Sequence, residues 1–73
     1  MSPAEVASRL MGAVTCMRGE NHDTTRSFID ELIGDAETPP DEVLMIAVSL
    51  TAALADALGA TDADLQRLAA SVQ

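Results

Sequence analysis

Basic charge, aromatic rings and cysteine are all scarce in this 73-residue sequence. Lysine is absent, and Arg9, Arg18, Arg26 and Arg67 face twelve acids, for a formal net charge of −8. Direct nucleic-acid binders draw most of their affinity from basic side chains that neutralise phosphates, so that class is excluded. Docking on an anionic membrane surface is excluded on the same ground. Cys16 is the one cysteine, so no intramolecular disulfide can staple the chain as in small secreted domains. The longest apolar stretch, residues 43–58, is broken by Ser49, Thr51 and Asp56 and falls short of the ~20 residues of a membrane span. The opening segment, MSPAEVASRLMG, has no basic stretch followed by an apolar run, so a signal peptide is not expected and the expected location is cytoplasmic. Arginine without lysine, together with thirteen alanines, is usage typical of a GC-rich genome, bacterial or phage.

With 48% hydrophobic residues the chain is too apolar for a disordered one. Its length suits one small domain and excludes a multidomain enzyme. No segment alternates apolar and polar residues with a period of two, so strands are not expected. Capping signals instead divide the whole chain, residues 1–73, into four helices, an all-α fold. Ser2-Pro3-Ala4-Glu5 is a capping box with proline at the first helical position, and helix 1 runs over about 3–18 to Gly19. Val6, Leu10, Ala13, Val14 and Met17 form its apolar stripe. Asp23 or Thr24 caps helix 2, about 24–33, with Phe28, Ile29, Leu32 and Ile33 on one face and Gly34 at its end. Thr38 caps helix 3, about 39–58, whose first turn holds Pro39, Pro40, Asp41 and Glu42 and which stops at Gly59. Thr61 and Asp64 open helix 4, about 62–72, striped by Leu65, Leu68, Ala69 and Val72.

Helix 3 is apolar over an arc of about 200°, where a surface helix buries about 100° or somewhat more. It therefore reads as the central helix of a small bundle, in contact on two sides. The core available to so short a chain is small, and domains of this size often gain stability by association. A homodimer is expected. Its candidate contact residues are Leu44, Val48 and Ala55 on helix 3, and Ser8, Gly12 and Cys16, a row of small residues that lets another helix approach closely on helix 1.

Candidate chemistry is sparse. Cys16 and His22 are the one possible nucleophile–base pair, but Cys16 falls near a helix C-terminus, where the dipole disfavours a thiolate, and no oxyanion site accompanies it. The acids follow no calcium-loop spacing and there is no second His or Cys for zinc, so neither metal nor cofactor is expected. Glycine-rich phosphate loops are absent. An acyl carrier protein of this size and charge would carry Asp-Ser-Leu at a helix start. The nearest tripeptide here, Val48-Ser49-Leu50, lies inside helix 3 without the aspartate.

The charge is unevenly placed. Residues 1–19 carry a net +1, residues 20–42 a net −7 and residues 43–73 a net −2. Glu20, Asp23, Asp30, Glu31, Asp35, Glu37, Asp41 and Glu42 thus form a candidate face that could steer a basic protein partner. The reading that follows is a small, acidic, non-enzymatic interaction module that associates with itself. The alternative is an inhibitor that mimics nucleic-acid charge and occupies the groove of a basic DNA- or RNA-binding protein.

Overall fold

The structure, a computed structural model, describes residues 1–72. Four helices follow one another: α1 (Pro3–Arg18), α2 (His22–Gly34), α3 (Pro40–Leu58) and α4 (Asp62–Ala70), with no strand among the described residues. Among the described residues no helix is long and apolar enough to cross a membrane.

The α1 start is as expected. The Ser2 hydroxyl accepts from the Glu5 amide at 3.2 Å and donates to the Glu5 carboxylate at 3.4 Å. The end of α1 is displaced by one residue. Gly19 keeps a negative φ of −84°, and Glu20 takes the left-handed conformation at φ 60°. Glu20 N–H then bonds to the Met17 carbonyl and Asn21 N–H to the Cys16 carbonyl, the paired bonds of a Schellman motif. The chain turns so tightly that Asn21, not Asp23 or Thr24, caps α2, its Oδ1 accepting from the Thr24 amide at 3.2 Å.

Thr38 does not cap α3 either. A residue before proline is held extended, so Pro39, ahead of Pro40, cannot be helical, and the helix starts one residue later with Pro39 as its cap. The Thr38 hydroxyl instead donates to Asp35 at 2.7 Å. The α3 end at Gly59, φ 69°, and the reciprocal Thr61–Asp64 box that opens α4 are as the sequence predicts.

Among the described residues Val6, Ala13 and Leu32 are the buried apolar side chains, and Thr25 and Thr38 are buried as well. Thr25 is buried at no polar cost because its hydroxyl donates to the Asn21 carbonyl at 2.8 Å. The helices α1, α2 and α3 all touch one another, and α1 makes the most extensive contact with the other two. No residue of α3 is buried, so α3 flanks the α1–α2 hairpin and is not the post at its centre. Its apolar arc is as broad as expected, but only Val43, Ile46, Ala47, Leu50 and Ala55 are half-covered. No close backbone contact joins α4 to any other helix. The result is an elongated body of 36 × 24 × 19 Å whose radius of gyration, 13.2 Å, exceeds the about 11 Å of a compact chain of this length.

Candidate interaction surface

One stripe of α3 faces the hairpin, and much of the rest of the helix faces outward. Leu44 is 66% exposed, Val48 63%, Leu54 60% and Leu58 75%. Leu44 stands as a ridge between two apolar hollows. On one side Leu10, Ile29, Leu32, Ile33, Pro40 and Val43 line a cleft of about 280 Å³ at the junction of α1, α2 and α3. On the other side a groove of about 320 Å³ runs between α3 and α4, with Ala47, Val48, Thr51 and Ala52 against Leu65. Its floor is low because Ala47, Thr51 and Ala52 are small. No charged side chain lines either hollow. Leu68 and Val72 extend the apolar surface along α4 and beyond it. Of the expected association residues, Leu44 and Val48 lie on this surface. Ala55 sits half-buried at its margin, where its carbonyl accepts from Ala60 N–H in the closing turn.

On the small-residue row of α1, the ring of Phe28 lies against Gly12, so this residue serves the approach of α2 to α1. Ser8 is exposed beside the same ring, and Cys16 is partly buried. The signal for this pairing was in the sequence: the one aromatic residue, and the one glycine that stops no helix. Val14 and Met17, assigned to the α1 core stripe, are about half exposed together with Met11, because α3 covers only part of α1.

The acids of residues 20–42 do not share one face. Glu20 and Asp23 lie at the α1–α2 turn, whereas Asp35, Glu37, Asp41 and Glu42 lie at the other end of α2, about 20 Å away for a 13-residue helix. Three of the eight are neutralised locally: Glu31 by Arg9 at 2.7 Å, Asp30 by Arg26 at 3.1 Å and Asp35 by the Met1 ammonium at 2.7 Å. Asp35 is the most heavily engaged. The ammonium and the Thr38 hydroxyl both donate to its carboxylate, the Glu37 amide adds a third bond, and together they hold its pKa at about 2. The hydrogen bond to Asp35 raises the ammonium's pKa in turn. Glu20, Asp23, Glu37, Asp41 and Glu42 have no cationic partner among the described residues. Glu5, Glu31, Asp35 and Glu37 border an open hollow of about 760 Å³ beside Met1.

No protein-family model matches this chain, and the comparisons found no matching curated protein and no matching solved structure. The surface must be read from its own chemistry. No group of three or more His, Cys, Asp or Glu residues is arranged to hold a metal ion among the described residues. His22 is exposed at the first position of α2, and Cys16 lies in the last turn of α1. What the geometry offers is an uncharged, grooved apolar surface on α3 and α4, with acids concentrated at the two ends of α2.

Proposed function

We propose that this protein is a non-enzymatic protein–protein interaction module that associates with itself through the outer face of α3 and α4. The reading extends to a cytoplasmic protein of a GC-rich bacterium or phage, on the residue usage described above. One observation carries the self-association: the surface left uncovered. The folded chain exposes 5542 Å², whereas a monomer of 7.6 kDa exposes about 4,300 Å². Hiding the difference of about 1,200 Å² on each of two copies buries about 2,400 Å² in all, within the range of obligate homodimers. Of the large apolar side chains left exposed, seven lie on α3 and α4 and five on α1 and α2. Sedimentation equilibrium is the test. A dimer is expected at micromolar concentration, and a monomer persisting to about 100 µM overturns the reading.

A second reading, inhibition of a basic nucleic-acid-binding protein by charge mimicry, is favoured by the five acids without cationic partners. Such a contact weakens steeply with added salt, and binding to a basic protein that is insensitive to ionic strength excludes it.

A further inference from the structure

Resting on the self-association reading, we infer that two copies meet about a two-fold axis with Leu44 of each seated in the α3–α4 groove of the other. The occupant is a second copy because of the area involved: the excess of about 1,200 Å² per chain matches what a stable homodimer hides. The surface is also self-complementary. In a two-fold interface the same patch serves both subunits, so each protrusion needs a matching recess on that same patch. Leu44 and the groove are such a pair. Leu44 projects with 66% of its surface exposed, and beside it the floor of Ala47, Thr51 and Ala52 leaves a recess of about 320 Å³, larger than one leucine side chain. Leu65 walls the recess from α4 and is itself 38% exposed until the recess is filled. The absence of charge on this lining lets it dry without stranding an ion, the usual penalty of burying polar surface. Seating Leu44 also covers the neighbouring Val48, and two equivalent contacts form at once.

The closing experiment uses two variants of the whole chain, both at exposed helical positions that tolerate them. Ala52→Gln fills the recess, and Leu44→Ala removes the ridge. Each disturbs both contacts of a symmetric dimer, so each is expected to weaken self-association about tenfold or more while helicity by circular dichroism is unchanged. Ala57→Gln, on another side of α3, is expected to leave association at the wild-type level. The decisive measurement mixes the two variants, one fluorescently labelled. The intact Leu44 of the Ala52→Gln chain fits the open recess of the Leu44→Ala chain, and the filled recess faces only an alanine. The mixture is therefore expected to form heterodimers tighter than either variant alone. If the wild type dimerises but the mixture is no tighter than its components, or Ala52→Gln dimerises as well as the wild type, the seating of Leu44 is wrong while self-association stands. If the wild type is a monomer, both fall.

Discussion

The ring of Phe28 lies so close over Gly12 that a β-carbon added there would come within 3.1 Å of two ring atoms. Glycine in a helix costs about 1 kcal/mol relative to alanine, a cost accepted here for the contact of α1 with α2. Gly12→Leu is expected to destabilise the fold by about 2 kcal/mol, read as a lower urea midpoint, because the hairpin must open to admit the side chain. In a Phe28→Ala background the same change should cost much less. Strict additivity in that double-mutant cycle would show that the two residues do not meet.

Glu20 occupies the left-handed position that closes α1, where a β-carbon is strained and where its carboxylate also faces the negative end of the helix. Glu20→Gly is expected to stabilise the protein by about 0.5–1 kcal/mol in thermal unfolding. Gly19→Ala, at a negative φ with no close neighbour beyond the α1 carbonyls, should change stability by less than about 0.5 kcal/mol. Gly59→Ala, at φ 69°, should cost about 1 kcal/mol. The reverse order among these three would contradict the turn geometry.

The Asp35 knot has a pH window with two edges. A carboxylate lowered from 3.8 to about 2 contributes fully above 3.8 and loses its contribution as pH falls toward 2. The ammonium is raised above 8.0, so its contribution is complete below 8.0 and is lost as pH rises through the raised value. The difference in melting temperature between the wild type and Asp35→Asn should be widest between pH 4 and 8 and narrow on both sides. A difference that stays constant from pH 2 to 10 would contradict this assignment.

Salt should act on association in a direction opposite to that of a charged contact. Each copy brings a net charge of −8 to an interface whose own lining is uncharged, so repulsion opposes pairing and screening relieves it. Raising the salt from about 50 to 500 mM, over which the screening length falls several-fold, should tighten the dimer in sedimentation equilibrium. Weakening over that range would point to an ionic interface instead.

What was legible in the sequence was local. The Ser2–Glu5 and Thr61–Asp64 boxes and the Gly59 stop act within four residues, and each is present as read. Thr38 does not cap α3 because two successive prolines delay the helix by one residue, and because its hydroxyl is engaged by Asp35 and the N-terminus, contacts that depend on the tertiary fold. The apolar breadth of α3 was equally plain, but hydrophobic periodicity says which residues seek cover and not which helix supplies it. Leu54 and Leu58 are found exposed for that reason. The eight acids, contiguous in sequence, are parted by the length of α2, a separation that a net charge per segment cannot reveal.

The isolation of α4 implies an order of events in time. The α1–α2 hairpin contains every buried apolar side chain and joins residues close in sequence, so it forms early and opens last. Without close backbone contact to any other helix, α4 is expected to unfold locally, its amides exchanging with deuterium much faster than those around Val6 and Leu32. Uniform exchange along the chain in dilute solution would contradict this. Raising the protein concentration should slow α4 selectively, because completing its groove with a second molecule ties the lifetime of one helix to the abundance of the whole protein.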